Sequence, residues 1–238
     1  MSGKKYEAAL AKVNREVLYN PEDALKLVKD MHFTKFDETV EMHVRLGIDP
    51  RHSDQQVRTT VVLPNGLGKT VRVMVFGEGD AARIAKEAGA DFVSDDEMIA
   101  RIANEGWMDF DVALATPDMM KKVGRLGKVL GRKGLMPNPK AGTVVNAEDI
   151  PRAIEEARAG RIEFRNDKTG NLHIPIGKIN FDVEKLRGNM AAVMDAIMRA
   201  KPSGVKGIYI KRLVLTGTMT PGVRVDPNVA QGMYKDLS

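Results

Sequence analysis

The chain begins with helical periodicity and then changes to the alternation of a strand. Residues 6–17 carry apolar side chains at helical spacing, and an asparagine N-cap followed by proline at residues 20–21 starts a second helix. Residues 39–46 alternate strictly between apolar and polar side chains, which predicts a strand with one buried face. Residues 57–63 predict a second strand, closed by the turn-forming residues 64–68.

The middle of the chain alternates short apolar strands with helices. Strands are predicted over residues 71–76, 92–93 and 110–115, and helices over residues 80–88, 94–106 and 149–159. Ser94 and Glu97 form a capping-box pattern at the start of one helix, and Thr116 with Pro117 starts another. Strands separated by helices are typical of a parallel sheet covered on both faces. We therefore predict a three-layer, Rossmann-like α/β domain here.

Strand alternation returns near the end of the chain. Residues 161–165 and 172–176 predict a hairpin around the turn at residues 166–170, Asp182 precedes a long amphipathic helix, and residues 208–216 predict a last strand. The two ends of the chain thus share one pattern and the middle has another.

These patterns predict two domains of mixed α/β and α+β class. The first is a discontinuous α+β sandwich, a mostly antiparallel sheet with helices, formed by residues 1–67 and 161–238. The second is the inserted Rossmann-like α/β domain, formed by residues 68–160. Glycines at both crossings between the domains are consistent with a hinge.

Composition narrows the class of protein. The 238 residues are 43% hydrophobic and 29% charged, which is typical of a globular protein with a substantial core. The absence of cysteine excludes disulfides and thiolate chemistry and suits a reducing compartment. No apolar run approaches the roughly 20 residues that span a bilayer, and the start lacks a secretory pattern, so we expect a cytoplasmic protein that does not enter a membrane.

Charge and aromatic content bear on nucleic-acid binding. The net charge of +5 is modest, so a surface that attracts nucleic acid has to come from local clusters of Lys and Arg. One Trp, four Tyr and seven Phe are too few for a broad platform on which bases stack.

The densest cluster of positive charge lies at residues 121–144, and no acidic residue occurs between Asp118 and Glu148. A helix with one apolar face precedes an irregular loop rich in glycine and proline, whose basic side chains and amides could meet phosphate. A solvated basic helix followed by a long connection is the alternative interpretation.

Two segments resemble nucleotide-binding motifs. Residues 66–70, GLGKT, end like a P-loop, but Leu63 stands where that motif needs glycine and a strand follows instead of a helix, so we reject it. Residues 77–82, GEGDAA, match G-x-G-x-x-A between a strand and a helix, with Asp95 and Asp96 at the distance of a ribose-binding acid. Glu78 and Asp80 put negative charge where pyrophosphate would bind, which favours a structural turn.

The sequence gives no catalytic or metal-binding pattern. The four histidines, His32, His43, His52 and His173, form no pair at helical or H-x-H spacing, and no nucleophile stands with a base. Asp49, His52 and Asp54 fit a hydrogen-bonded loop better than a metal site. We predict no catalytic residue, no metal and no cofactor.

Residues suited to RNA occur at the ends of the outer strands. Lys35 and Phe36 precede one strand, Arg165 and Lys168 flank the turn at residues 166–170, and further cations lie on or before the last strand, at Lys206, Lys211 and Arg212. If the sheet forms as predicted, these residues converge on one edge. Cations would hold phosphates, while Phe36 and threonine hydroxyls would contact ribose 2′-OH groups. Core packing is the alternative for Phe36.

Several long segments resemble one family. The run LGKVLGRKGLMPNPKAGTV at residues 126–144 resembles the signature of the L-one family of ribosomal large-subunit proteins. Residues 35–58, 106–111, 115–118 and 159–170 and the pair Thr218–Met219 agree with it over nearly the full chain. The resemblance implies a two-domain build and a non-enzymatic, ribosome-associated protein of the mobile stalk.

The resemblance also implies partners and contacts. It implies binding of large-subunit rRNA at the stalk, assistance in the release of deacylated E-site tRNA, and repression of the protein's own mRNA. The matching contact positions are Phe36, Thr39, Asp167, Lys168, Thr169, Thr218 and Met219. Thr220 stands where the family usually has glycine, and Gly217 where threonine is common, which changes the expected backbone approach.

Residue chemistry and resemblance together give the predicted sites. The RNA-binding residues are Lys35, Phe36, Thr39, Arg165, Asp167, Lys168, Thr169, Lys211, Arg212, Thr218, Met219 and Thr220. A secondary contact to RNA or tRNA is predicted at Arg125, Lys128, Arg132, Lys133 and Lys140. A nucleotide-dependent oxidoreductase using residues 77–82 and a general basic, chaperone-like binder are the alternative functions.

Overall fold

The computed structural model describes residues 3–233. Contacts within the chain divide it into two units, the first running up to Gly68 and resuming at Ile162, the second spanning Lys69–Arg161. The domain boundaries predicted from the sequence stay a prediction. Independent folding of the two parts stays a prediction.

The elements follow one another in a mixed α/β order. In the first unit before the insertion they are α1 (Lys4–Leu10), α2 (Pro21–Asp30), β1 (Thr39–Leu46) and β2 (Arg58–Val62). The second unit contains β3 (Val73–Phe76), α3 (Asp80–Glu87), β4 (Phe92–Val93), α4 (Asp96–Glu105), β5 (Val112–Ala115), α5 (Met120–Val123), α6 (Gly127–Lys133) and α7 (Ile150–Arg158). The first unit then resumes with β6 (Arg161–Arg165), β7 (Asn171–Lys178), α8 (Val183–Arg199), β8 (Ile210–Gly217), β9 (Val223–Val225) and α9 (Pro227–Gly232).

An antiparallel sheet in the order β7-β1-β8-β9 forms the centre of the first unit. On β1, Val44 lies opposite Leu172 of β7 and Leu213 of β8, and all three are buried. Burial alternates along β1, which confirms the strand predicted at residues 39–46. Helices α2 and α8 pack on the buried face, and the apolar face of α8 is fully buried, which confirms its predicted amphipathicity.

The hairpin predicted around residues 166–170 is wrong. Strand β6 pairs with β2 in a separate two-stranded sheet, whereas β7 joins the four-stranded sheet. The Asn166 side-chain oxygen accepts from the Val57 amide at 2.7 Å, and the Asn166 amide donates to the Val57 carbonyl at 3.0 Å, which holds the end of β6 to Val57. The Asp167 carboxylate then accepts from the Asn171 amide and turns the chain. The chain therefore changes sheets within this turn.

The two ends of the first unit also differ from the prediction. Helix α1 ends at Leu10 instead of reaching Val17, which is 43% exposed. Local hydrogen bonds stop it, since Asn14 accepts from the Glu16 amide and donates its own amide to the Tyr19 hydroxyl. Beyond the predicted last strand, β9 and α9 complete the described chain, and no pattern had indicated them.

A parallel sheet in the order β4-β3-β5 forms the centre of the second unit. One apolar cluster, which includes Ile102 and Leu130, covers one side of the sheet, and another, which includes Ala85 and Ile154, covers the other. The strand–helix alternation of the sequence is thus confirmed as a parallel arrangement with helices on both faces. A lone parallel bridge between Ala115 and Val144 extends the sheet.

Two helix starts in the second unit differ from the prediction. Ser94 is not the N-cap of α4, because its amide still pairs with Val75 of β3, and Asp95 caps the helix by accepting from the Met98 amide at 2.7 Å. The basic helix begins at Met120 and not at Thr116 and Pro117, and it is broken into α5, a 3-10 turn (Gly124–Leu126) and α6. Glycines at these junctions, which disfavour continuous helix, account for the breaks.

The segments at residues 66–70 and 77–82 lack some of the structural features of the nucleotide-binding motifs that they resemble. The element after Thr70 is strand β3 and not a helix, as expected for a segment that is not a P-loop. Gly79, at φ 58°, precedes α3 in a tight strand-to-helix turn, and Glu78 forms an ion pair with Lys122. Among residues 3–233, no helix has the length and apolar character needed to cross a bilayer.

Candidate nucleic-acid interface

A buried carboxylate organises the end of the four-stranded sheet where β1 begins. Glu38 is fully buried and accepts hydrogen bonds from the Thr34 hydroxyl at 2.8 Å, the Met219 amide at 3.0 Å and His32 Nδ1 at 3.0 Å. Such charge-assisted bonds are strong where water is excluded. Glu38 therefore fixes the turn after β8 against the segment before β1.

Gly217 is required by this arrangement. A Cβ atom there would lie 2.7 Å from the Glu38 carboxylate and 3.0 Å from the Thr220 hydroxyl. The Thr220 hydroxyl accepts from the Gly217 amide at 2.8 Å, and the Thr216 hydroxyl donates to the Thr220 carbonyl at 2.9 Å. Gly217 and Thr220 are the two residues that depart from the family pattern, and each fits the space and the hydrogen bond that the other provides.

Thr220 does not project into solvent. Its side chain is buried. Thr220 therefore supports the turn, and its side chain does not reach the surface where RNA was predicted to bind. Thr218 is exposed and accepts from the Thr39 amide at 3.1 Å. The Lys178 ammonium donates to the Thr39 hydroxyl at 3.0 Å, so both threonines are held in place.

Two large apolar side chains stand beside these hydroxyls. Phe36 and Met219 are each 51% exposed, and Lys35 is exposed without a hydrogen-bond or ion-pair partner among the described residues. Core packing, the alternative for Phe36, is therefore excluded. We call Phe36, Glu38, Thr39, Thr218 and Met219 the turn cluster.

The loop at residues 166–170, the Asp167 loop, is equally well ordered by hydrogen bonds. The Asp167 carboxylate accepts from the Thr169 amide and hydroxyl and from the Asn171 amide, all at 2.8 Å. Partial desolvation opposes ionisation, but the bonds from Asn171 and Thr169 outweigh it and hold the pKa of Asp167 well below its usual range. Arg45 binds the Thr169 carbonyl, and Lys168 points to solvent without a partner among the described residues.

The predicted convergence of these residues on one edge is wrong. Thr39 lies opposite Lys178 at one end of the β1–β7 ladder, and Arg45 lies opposite Asn171 at the other. Six residues of strand separate the two ends by about 20 Å. Arg212 lies opposite Arg45, so the cations of β8 accompany the Asp167 loop and not the turn cluster.

Most of the cationic side chains near the Asp167 loop have no hydrogen-bond or ion-pair partner among the described residues. Lys211 and Arg212 are exposed and have no partner among the described residues, and they line a hollow of about 540 Å³. Arg165, also exposed and unpaired within the described chain, lines a neighbouring hollow with Lys168. This end of the sheet can therefore attract phosphate.

The basic segment of the second unit includes α6 and the loop that follows it. Its five predicted contact residues are all exposed, and their side chains have no hydrogen-bond or ion-pair partner within residues 3–233: Arg125, Lys128, Arg132, Lys133 and Lys140. We call them the basic strip. Lys122 differs, because Glu78 and Asp96 neutralise it from outside the segment.

Sequence reasoning missed several residues that shape these surfaces. Glu38 and Lys178 carry no motif, and the spacing of His43 and His173 predicts polar histidines of strands or loops that form no ligand pair. The two imidazoles are in fact neighbours, and burial together with His173 lowers the pKa of His43. Within the described residues, no group of three or more His, Cys, Asp or Glu side chains is arranged to hold a metal ion.

A mixed α/β protein with rigid, hydroxyl-bearing turns and rows of unpaired cations has the character of a nucleic-acid-binding protein. Residues 28–221 match the Ribosomal protein L1p/L10e family. The chain belongs to this family.

Similar proteins extend the match to nearly the whole chain. The large ribosomal subunit protein uL1 of Chloroflexus aurantiacus is 61% identical over 97% of this chain and 98% of its own length. The proteins of the same name from Chloroflexus aggregans and Dehalococcoides mccartyi strain CBDB1 are 59% and 55% identical, over 97% of this chain and 98% and 97% of their own lengths. These names agree with the prediction of a non-enzymatic ribosomal protein.

Proposed function

We propose that this protein is a structural constituent of the large ribosomal subunit that binds large-subunit rRNA at the mobile stalk through its first unit. The turn cluster is the observation that carries the proposal. The buried Glu38 fixes the Met219 amide, Lys178 and the Thr39 amide hold the two threonine hydroxyls, and Phe36 and Met219 remain exposed. A rigid surface of this kind can recognise folded RNA by shape and by its 2′-OH groups.

The Asp167 loop and the β8 cations form the second part of the proposed interface. Lys168, Lys211 and Arg212 are unpaired within the described chain and supply salt-dependent attraction to phosphate, whereas the turn cluster supplies contacts that depend little on salt. An RNA that reaches both places has to span about 20 Å along β1. A single folded RNA element that presents two backbone segments meets this requirement.

We assign two further roles to the same protein. Assistance in the release of deacylated E-site tRNA would use the basic strip, whose unpaired cations suit transient phosphate contacts. Repression of its own mRNA would use the turn cluster, because an mRNA that folds like the rRNA site would present the same 2′-OH groups. Both roles rest on the family and on these two surfaces.

A binding experiment tests the proposal. Fluorescence anisotropy should show tight binding to a transcript of the large-subunit stalk rRNA, much weaker binding to a scrambled transcript of equal length, and no response to a dinucleotide. Equal binding to both transcripts would favour the general basic binder. Binding of the dinucleotide in preference to RNA would favour the oxidoreductase.

The proposed domain boundaries have their own test. Residues 1–67 joined to residues 161–238 by a short linker should fold and retain the rRNA affinity, since the strands and helices of the first unit share one apolar cluster. Circular dichroism and the same anisotropy assay check both points. If the truncated protein folds but does not bind the rRNA, the main binding site is the basic strip and not the first unit.

A further inference from the structure

Two histidines from distant parts of the chain meet on the open face of the four-stranded sheet. His43 of β1 lies directly opposite His173 of β7, and their Nδ1 atoms are 2.9 Å apart. The side chains are 29% and 55% exposed, so solvent ions reach both. They belong to the 540 Å³ hollow described above.

Each imidazole has a carboxylate on its far side. His43 Nε2 lies 3.7 Å from Glu41, and His173 Nε2 lies 3.5 Å from Asp167. A neighbouring carboxylate favours the tautomer that carries hydrogen on Nε2, which leaves the Nδ1 lone pair free. With both rings in this tautomer, the two Nδ1 lone pairs lie 2.9 Å apart and repel each other unless a cation bridges them.

From this arrangement we infer that His43 and His173 form a two-imidazole chelate for a divalent first-row transition metal, with Cu²⁺ as the preferred ion. Imidazole nitrogen suits copper, nickel and zinc, and affinity for a given site rises to its maximum at copper. Water completes the coordination, because the pair is open to solvent.

The distance between the nitrogens favours a particular geometry. Two nitrogens 2.9 Å apart, each about 2.0–2.1 Å from a shared ion, subtend about 90° at the metal. That angle fits adjacent positions of a tetragonal Cu²⁺ or Ni²⁺ site. A tetrahedral Zn²⁺ site needs the nitrogens about 3.3 Å apart, so zinc requires the strands to move.

Charges around the pair set limits on its affinity. Arg45, Lys211 and Arg212 line the same hollow and repel a dication, while Glu41 and Asp167 offset two of these three charges. The chelate therefore depends on the two nitrogen donors acting together and not on electrostatic attraction.

Calorimetric titration of the untagged, full-length protein with CuCl₂, NiCl₂ and ZnCl₂ in a non-coordinating buffer tests the site. We expect one Cu²⁺ bound per chain, more tightly than Ni²⁺ and Zn²⁺, with electron paramagnetic resonance showing two nitrogen ligands. His43→Gln and His173→Gln should each lower Cu²⁺ affinity roughly tenfold or more, since one imidazole cannot chelate.

His52→Gln is the matched control, because His52 is 65% exposed in a loop and its only ion-pair partner in the described chain is Asp49. It should leave Cu²⁺ affinity unchanged. If circular dichroism shows that a glutamine variant does not fold, the number of nitrogen ligands in the electron paramagnetic resonance spectrum of the wild-type protein tests the inference instead. A wild-type protein with fewer than two nitrogen ligands, or with the same Cu²⁺ affinity in folded His43→Gln, overturns the inference.

Discussion

The turn cluster and the basic strip present polar groups to solvent in opposite ways. In the turn cluster, a fully buried carboxylate fixes the Met219 amide, and the hydroxyls of Thr39 and Thr218 are held by Lys178 and by the Thr39 amide. In the basic strip, five exposed cations have no partner among the described residues. A fixed surface can discriminate between RNA shapes, whereas free cations attract any polyanion.

Charge density does not mark the surface that we propose to be the more specific one. The basic strip is conspicuous in the sequence because it lacks acidic residues. The turn cluster depends on an acidic residue, Glu38, whose charge is hidden in the core. Substitutions in the two regions should therefore differ in size and in salt dependence.

The largest effect is expected at Glu38. Glu38→Ala removes the part-buried hydrogen bonds from the Thr34 hydroxyl, the Met219 amide and His32, and each hydrogen bond to a charged group contributes about 1.5–3 kcal/mol. Urea denaturation should show a decrease of roughly 3 kcal/mol or more in unfolding free energy together with weaker rRNA binding. Glu41→Ala, on the exposed face of β1, is the control and should change stability by about 0.5 kcal/mol or less. Equal effects of the two substitutions would contradict the role given to Glu38.

Gly217 should be the next most sensitive position. Gly217→Ala forces its Cβ against the Glu38 carboxylate and should cost about 1–3 kcal/mol of unfolding free energy. Gly131→Ala, in α6 of the second unit, meets open space and should stabilise the protein by about 0.5–1 kcal/mol, because alanine favours helix. Thermal denaturation of both variants measures the contrast, and a destabilised Gly131→Ala protein would show that the strip is less tolerant than proposed.

Thr218 separates recognition from stability. Thr218→Val should weaken rRNA binding roughly tenfold, which is about 1.4 kcal/mol, at both low and high salt. Removal of the hydrogen bond to the exposed Thr39 amide should lower stability by only about 1 kcal/mol. Thr218→Ser keeps the hydroxyl and should restore affinity. Unchanged affinity in folded Thr218→Val would remove this residue from the RNA interface.

The smallest effect is expected in the basic strip. Replacing Arg132 and Lys133 by alanine should lower rRNA affinity only a few-fold and reduce the slope of log K against log salt by about 0.7–0.9 for each phosphate that the protein no longer neutralises. Lys86→Ala, an exposed cation of α3 outside the strip, should leave the slope unchanged. Anisotropy at several salt concentrations provides the measurement, and complete loss of binding would reverse the ranking of the two surfaces.

Many of the local elements follow from the sequence alone. The alternation at residues 39–46 predicted β1, the cap and proline at Asn20 and Pro21 predicted α2, and short apolar strands between helices predicted the parallel sheet. These signals are local, because side-chain periodicity and caps depend on residues only a few positions apart. The sequence also supplied Phe36, Thr218 and Met219 as candidates, and hydrogen bonds between Met219 and Glu38 and between Thr39 and Thr218 join the two segments that carry them.

Only the tertiary structure decided which strands pair and which polar groups are buried. Strands β6 and β7 are neighbours in the chain but lie in different sheets, so the predicted hairpin and single edge were wrong. Glu38 meets the Met219 amide 181 residues away, and His43 meets His173 across 130 residues. Such contacts have no local periodicity, because sheet register and the burial of a satisfied polar group depend on the packing of the whole unit.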